Sequence, residues 1–187
     1  MVESGEVAEV PVEGERAPWF ALARDLPALE RADRRRTPAD GTTLLAPFDS
    51  FLWHRDRAER LFGFNYRIEV YTPKPKRMHG YYSLPIFHDG QLIGRLDAKN
   101  HRQERLLEVR NVHFERWFVK GATPPAATWG ALDRDRALSG IAEAVGSLMQ
   151  FTSAERVRLV RTAPAKLLAP LRSHLKRCGP GVQGSAS

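Results

Sequence analysis

The dipeptide Asp89-Gly90 constrains the fold of this chain more than any other local feature. It separates two runs rich in apolar residues, Tyr81–His88 and Gln91–Lys99. Asp-Gly readily adopts the two positive φ angles of a type I′ turn, so the runs are predicted to pair as an antiparallel β-hairpin with a two-residue loop. Any fold for this chain must therefore contain that hairpin and supply an element that covers its apolar face.

The same turn predicts which residues face each other across the hairpin. With a two-residue loop, Arg95 lies opposite Leu84, and Asp97 lies opposite Tyr82. Because successive side chains of a strand point to opposite faces, Arg95, Asp97 and Lys99 are expected to share one face.

Further elements follow from hydrophobic periodicity. Tyr66–Tyr71, Leu106–Phe114 and Glu155–Arg161 are predicted to be strands, and Asp56–Phe62 and Asp133–Gln150 are predicted to be helices. Strands joined by short turns favour an antiparallel sheet, and about five of them can curl into a small barrel. We therefore predict an α+β fold: a small antiparallel β-barrel or curled sheet packed by a C-terminal helix.

Composition shifts along the chain predict three regions. Residues 1–41 combine a short hairpin over residues 6–24 with a polar linker that contains Arg34, Arg35 and Arg36. Residues 42–162 form the barrel-like domain with its packing helix, in which residues 117–129 are expected to be loop. Residues 163–187 carry basic but no acidic side chains and are predicted to be a basic tail, in which Pro170 disfavours a helix.

The charge balance points to a polyanionic partner. The chain has 29 Lys and Arg against 22 Asp and Glu, a net charge of +7 and a pI near 10.0. Many of the cations lie among aromatic residues, which suits a nucleic-acid surface, and the family resemblance described below implies double-stranded DNA as the partner. The candidate DNA-binding residues are Arg55, Arg57, Lys74, Lys76, Arg77, Arg95 and Lys99. The candidates for stacking on bases, with core or rim packing as the alternative, are Trp53, Tyr66, Tyr71, Tyr81 and Tyr82.

Two alternatives stay open for these charges. Arg95 and Lys99 either contact phosphates while Asp97 orients a neighbour, or the three residues form a structural ion pair that lines the sheet. The loop cations Lys74, Lys76 and Arg77 either clamp phosphates or are solvated charges at a sheet edge.

A metal-dependent reaction is a weaker hypothesis. Asp49 followed by Asp97-Ala98-Lys99 resembles the Asp…Asp-x-Lys arrangement of Mg²⁺-dependent nucleases, in which two carboxylates hold the metal. The family pattern described below accounts for the same residues without a metal. The histidines lack the spacing of a metal site, so we predict neither metal nor cofactor.

The sequence also carries information on compartment. It has a single cysteine, Cys178, so no internal disulfide is expected, which fits a reducing compartment. The residues that follow Met1 lack the basic start and apolar stretch of a signal peptide, and no apolar run approaches the roughly 18 residues of a membrane span. We expect a cytoplasmic, nucleoid-associated protein.

Several motifs together resemble a known family. They are Leu44-Leu45-Ala46-Pro47-Phe48-Asp49, Trp53-His54-Arg55, the run from Arg60 to Pro73, Lys76-Arg77, Gly80-Tyr81-Tyr82, Leu84-Pro85 and Gly94-Arg95-Leu96-Asp97-Ala98-Lys99. This pattern is similar to the C-terminal part of the YcaQ/AlkZ winged-helix family, bacterial DNA glycosylases that unhook interstrand crosslinks and excise bulky alkylated bases. The match covers roughly residues 6–161.

The resemblance implies tandem winged-helix modules followed by a C-terminal β-barrel, which together form a concave DNA-binding surface. Residues 6–24 then correspond to a wing-like hairpin, a remnant of a winged helix, and residues 42–161 to the barrel. On this pattern Asp49, Trp53, Tyr82 and Asp97 are structural or orienting candidates.

The chain also departs from the family. The family's catalytic motif is Gln-x-Gln or Gln-x-Asp, and none of the four glutamines here, Gln91, Gln103, Gln150 and Gln183, is followed two places later by Gln or Asp. His54 stands where the family pattern has an acidic residue. We therefore assign no catalytic residue and expect DNA binding without base excision by this chain alone. The alternatives are a split glycosylase that is active only with a separately encoded winged-helix chain, an inactive remnant, or the Mg²⁺ nuclease.

Overall fold

The larger part of the chain is a mixed α+β fold around a strongly curled half-barrel sheet. The computed structural model describes residues 4–12, 14, 16–35, 41–122, 132–178 and 182–183. The chain divides into two compact units, Met1–Pro38 and Ala39–Ser187. No helix in the described ranges is both long and apolar enough to cross a bilayer.

The first unit contains a hairpin and a helix. Strands β1 (Val7–Val10) and β2 (Trp19–Leu22) pair antiparallel, which confirms the hairpin predicted over residues 6–24. Helix α1 (Leu26–Arg35) follows, so the polar segment that was predicted as linker begins inside a helix. Pro27 lies in its first turn, where proline disturbs no intrahelical hydrogen bond. Pro38 and the third arginine of the predicted linker, Arg36, lie outside the described residues.

Seven strands of the described chain form the sheet of the second unit. Their order is β3-β4-β5-β6-β7-β9, and β8 also pairs with β6. Strands β3 and β9 lie at the two ends of this order, so the described sheet is curled but not closed into a barrel. The strands are β3 (Thr42–Leu44), β4 (Ser83–His88), β5 (Gln91–His101), β6 (Leu106–Phe114), β7 (Arg156–Leu159), β8 (Thr162–Ala163) and β9 (Val182–Gln183).

The Asp-Gly hairpin is confirmed, but its register is not the predicted one. Asp89 has a φ of 45° and Gly90 a φ of 81°, as a type I′ turn requires. A β-bulge then shifts the pairing, so that Arg95 faces Pro85 and Asp97 faces Ser83. The bulge inserts one extra residue, Ile93, into β5 and shifts by one the pairing of every β5 residue that follows it.

The prediction of an entirely antiparallel sheet is wrong. Strand β7 pairs parallel with β6, as does β8, and β9 pairs parallel with β7. The reason is the 18-residue helix α5 (Arg134–Phe151) between β6 and β7, because a long crossover returns the chain to the same end of the sheet. The short turns that dominate the first half of the sheet gave no sign of this return.

One face of the sheet is covered by helices α4 (Arg116–Lys120), α5 and α6 (Leu168–Cys178). Helix α5 confirms the predicted helix. Asp133 caps its N-terminus by accepting hydrogen bonds from the backbone N–H groups of Asp135 and Arg136. Within the predicted basic tail, α6 buries Leu171 and Leu175 in the same core as α5. Pro170 is in the first turn of α6 and does not interrupt it. Helix α4 occupies the start of the predicted loop 117–129, and residues 123–131 lie outside the described chain.

The other face of the sheet carries a smaller apolar cluster. Helices α2 (Ser50–Trp53) and α3 (Arg55–Phe62) pack there, and Gly63 ends α3 with a φ of 58°, as predicted. His54 accepts the backbone N–H of Arg57 through Nδ1 at 3.1 Å. It therefore performs the N-capping role that a carboxylate commonly performs.

The segment Tyr66–Tyr71 is not the predicted strand; it crosses this second face without regular secondary structure. Its side chains rather than a hydrogen-bonded ladder hold it. The Tyr66 hydroxyl donates to the Ser83 carbonyl at 2.8 Å, and Ile68 packs against the smaller cluster. Alternating apolar residues mark a half-buried extended segment, and they cannot tell whether a neighbouring strand is present.

Candidate nucleic-acid interface

The second face of the sheet bears most of the exposed aromatic residues of the described chain. Trp53 is 76% exposed, Tyr71 is 88% exposed and Phe48 is 54% exposed. Large rings at such exposure are not held by a core, so core packing does not explain them. We call the surface formed by residues 47–49, α2, α3 and residues 63–82 the aromatic–cationic face.

Four of the predicted DNA-binding cations are exposed. Three of them lie on the aromatic–cationic face: Arg55 begins α3, and Lys74 and Lys76 form a single 3-10 turn after Tyr71. Lys99 is exposed near the end of β5. These side chains remain available to a polyanion.

Two further predicted DNA-binding residues, Arg57 and Arg77, donate hydrogen bonds to backbone carbonyls of the protein. The Arg57 guanidinium donates to the carbonyls of Ser50 and Phe51, both at 3.1 Å, and so satisfies the end of α2. Arg77 donates from Nε to the Thr72 carbonyl at 2.8 Å and lies 4.7 Å from the centre of the Tyr81 ring. Arg57 and Arg77 thus shape the loops that present the exposed cations.

Arg95 is also engaged, and it is only 5% exposed. Its guanidinium pairs with the Glu115 carboxylate at 2.8 Å, donates to the Asn65 carbonyl at 3.2 Å, and lies 4.3 Å from the centre of the Phe64 ring. The ion pair of Arg95 is with Glu115, and the cation ties the segment above the sheet to β5 and to the end of β6.

Asp97 lies beneath the same segment. Burial raises the pKa of its carboxyl group, although the Tyr82 backbone N–H and the nearby cations Arg110 and Arg161 act in the opposite direction. Gly80 passes so close that an added Cβ would stand 2.3 Å from the Asp97 carboxyl carbon. The carboxylate therefore packs against the backbone at Gly80 and accepts the Tyr82 backbone N–H.

A polar cleft of about 410 Å³ opens beside Arg95 and is lined in part by His79, His113 and Glu69. The two imidazole rings meet edge to face with centroids 4.6 Å apart. Burial lowers the pKa of His79 to about 4, with further contributions from the Arg95 and His113 charges, and burial also lowers the pKa of His113. Both histidines are therefore neutral at physiological pH, which suits packing under a basic surface rather than phosphate contact.

Glu69 organises the loop over this cleft. It accepts the backbone N–H groups of Met78, His79 and Gly80 at 2.9, 2.8 and 3.1 Å. Burial alone would raise the pKa of Glu69, but the three donors outweigh it and the pKa is lowered. This role of Glu69 was not predicted, because nothing in the sequence indicates that its carboxylate accepts hydrogen bonds from backbone about ten residues away.

The two carboxylates of the Asp…Asp-x-Lys arrangement each have a local partner. The Asp49 carboxylate caps α2 by accepting the Phe51 backbone N–H at 2.8 Å, and Asp97 packs on Gly80. No group of three or more His, Cys, Asp or Glu side chains in the described ranges is arranged to hold a metal ion. The two carboxylates thus serve separate local structures.

A second cleft on the aromatic–cationic face has a volume of about 580 Å³. Trp53 and Tyr71 line it with Phe48, and the buried Leu52 and Tyr66 form its floor. Phe48 was not among the predicted site residues. Its place beside Pro47 in a turn was the available signal, because a phenylalanine in a turn often escapes burial.

Comparison with known proteins gives one family. The family model described as AlkZ-like DNA glycosylase matches residues 1–151, well over half of the chain. No solved structure matches.

Proposed function

The chain belongs to the family of AlkZ-like DNA glycosylases, and we propose that its 187 residues bind duplex DNA through the aromatic–cationic face. The family indicates a function in DNA repair. The observation that carries the proposal is the exposure of Arg55, Lys74 and Lys76 on the same surface as exposed rings. Cations neutralise phosphates and aromatic rings contact bases, so their combination suits a nucleic acid better than a small anion.

In this proposal, arginines that form hydrogen bonds within the protein position the exposed cations. Arg77 fixes the loop that carries Lys74 and Lys76, and Arg95 fixes the segment beneath it. A loop that is already held in this way loses little conformational entropy when its ammonium groups bind phosphates. Lys99 is proposed as a further phosphate contact.

The proposal is tested by the salt dependence of duplex affinity. Each phosphate contact contributes about 0.9 to the slope of log K against log salt, so Lys74→Ala/Lys76→Ala is expected to lower the slope by about 1.8. The matched control is Lys120→Ala/Lys166→Ala, which removes two exposed cations from elements packed on the opposite face of the sheet. Equal slopes for both double variants would contradict the proposal.

We also propose that these residues do not excise bases by themselves. Base excision needs catalytic side chains held against an extruded nucleotide, and the glutamine motif of the resembled family does not occur in the sequence. Incubation with alkylated or crosslinked duplex DNA is expected to release no base. Release that begins only when a chain with the Gln-x-Gln or Gln-x-Asp motif is added would support a split enzyme, whereas release by this chain alone would refute the proposal.

The family membership supports one further proposal, on domain organisation. The hairpin β1–β2 is proposed to correspond to the wing of a winged helix, with residues 1–41 as hairpin and linker. Residues 42–162 are then the barrel-like domain, and residues 163–187 a basic extension that includes α6. Expression of residues 39–187 alone as a cooperatively unfolding protein would support the first boundary.

A further inference from the structure

The cleft between Phe48, Trp53 and Tyr71 has the dimensions and lining of a ligand site. Its volume of about 580 Å³ lies within the usual range for small-molecule pockets, about 300–1,000 Å³. The three rings are largely exposed, while the floor formed by Leu52 and Tyr66 is buried. Exposed rings around a fixed apolar floor leave a concave surface that water solvates poorly.

The floor is held in place by the protein. The Tyr66 hydroxyl donates to the Ser83 carbonyl, so Tyr66 presents its ring rather than its hydroxyl to the cleft. Burial raises the pKa of Tyr66 to about 12, and the ring stays neutral. Phe48 packs against Tyr82 with ring centroids 6.4 Å apart, which fixes one wall.

The polar groups at the rim match a nucleotide. Arg55 and Asp56 begin α3 and line the same cleft. The Arg55 guanidinium offers a phosphate contact, and the Asp56 carboxylate offers an acceptor for an exocyclic amino group of a base. Lys74 and Lys76 follow Tyr71 by three and five residues, so further cations lie close along the chain.

A base inside a regular duplex is stacked on both sides and cannot also stack on a protein ring. A base that has lost its partner exposes its faces, and aromatic side chains bind such bases by stacking. The cleft therefore suits an unpaired base, whereas the exposed lysines suit the phosphates of paired DNA. The two parts of the surface would then recognise different features of one damaged duplex.

We propose that this cleft binds an unpaired nucleobase of DNA, with Trp53 and Tyr71 as the stacking residues and Arg55 as a contact to the adjoining phosphate. The proposal rests on the proposed DNA binding and deepens it. It makes the chain selective for duplexes that contain a displaced or unpaired nucleotide.

The test compares two fluorescently labelled duplexes by anisotropy, one fully paired and one with a single-nucleotide bulge. Stacking contributes about 1–3 kcal/mol per base, so the wild-type chain is expected to prefer the bulged duplex by about fivefold or more. Trp53→Ala should lower the affinity for the bulged duplex more than the affinity for the paired duplex, and so abolish the preference. Trp53→Phe should retain part of it.

The matched control is Phe151→Ala, because Phe151 is 87% exposed at the end of α5 and lies outside the cleft. This variant should keep the full preference. Circular dichroism should show that Trp53→Ala is folded, as the exposure of Trp53 predicts, and Tyr71→Ala provides a second variant of the cleft.

The outcomes separate the two proposals. Equal wild-type affinity for the two duplexes would overturn the nucleobase site and leave the proposed DNA binding intact. A preference that survives both Trp53→Ala and Tyr71→Ala would overturn the site as well, as would its loss in Phe151→Ala. Absence of wild-type binding to either duplex would overturn both proposals.

Discussion

Replacing Arg95 by methionine should destabilise the fold without removing a DNA contact. Methionine keeps much of the volume but loses the ion pair with Glu115, the hydrogen bond to the Asn65 carbonyl and the contact with the Phe64 ring. The hydrogen bond contributes about 1 kcal/mol and the contact with the ring about 1–2 kcal/mol. The variant also leaves a partly buried Glu115 without its cation, and breaking a buried pair in this way costs about 3–5 kcal/mol in all.

Urea unfolding followed by tryptophan fluorescence measures this loss. We expect the unfolding free energy of Arg95→Met to fall by about 3 kcal/mol. The double variant Arg95→Met/Glu115→Met should lose less than the sum of the two single variants, because it leaves no unpaired charge. This cycle isolates the interaction of the two side chains.

The same variants distinguish a structural arginine from a phosphate contact. Under conditions where Arg95→Met is folded, its salt slope for duplex binding should equal that of the wild type. Unchanged stability together with a slope lower by about 0.9 would refute the structural assignment and return Arg95 to the DNA-binding surface.

Two further predictions concern the segment above the sheet. The pKa of His79 lies below its unfolded value of about 6.5, so protonation favours the unfolded chain. The stability that neutral His79 contributes should be fully present above pH 6.5 and be lost as the pH falls toward 4. Urea denaturation at several pH values should show that the free energy of unfolding falls by about 1–2 kcal/mol over this range, after allowance for solvent screening. His79→Phe should lack this fall. Gly80→Ala should cost about 2–4 kcal/mol, because Gly80 has a φ of 134° and its Cβ would overlap the Asp97 carboxyl group. The matched control Gly146→Ala, on an open face of α5, should be neutral or stabilising, and equal losses for the two glycine variants would contradict the packing argument.

Local signals in the sequence were sufficient for several elements of the fold. Asp89-Gly90 predicted the hairpin because its positive φ angles are a property of two adjacent residues. The 3–4 spacing of apolar residues predicted helix α5 within one residue at each end. These features depend on neighbours in the chain, which a sequence displays directly.

Non-local features of the fold were not predictable in the same way. The bulge at Ile93 in β5 has no local mark in the sequence, and the apolar clusters that Leu92 and Ile93 enter are known only once the fold is known. The parallel pairing of β7 with β6 depends on where α5 returns the chain. Leu171 and Leu175 gave α6 an apolar side, but the core that buries them lies far away in sequence.

The candidate site was likewise predictable in its residue types but not in the exposure of its side chains. The sequence identified the cations and rings, and it left open which of them are free to bind. Exposure of Lys74 and Lys76 and engagement of Arg57 and Arg95 are decided by three-dimensional partners such as Glu115. Burial, rather than residue type, therefore separates the candidate contacts from the residues that position them.

Lysine footprinting tests the central claim most directly. The chain is acetylated with and without saturating duplex DNA at low salt, and the modification of each lysine is measured by mass spectrometry. The account predicts that DNA protects Lys74 and Lys76 and leaves Lys120 on the opposite face of the sheet as reactive as in the free protein. Protection of Lys120 with unchanged reactivity of Lys74 and Lys76 would contradict it.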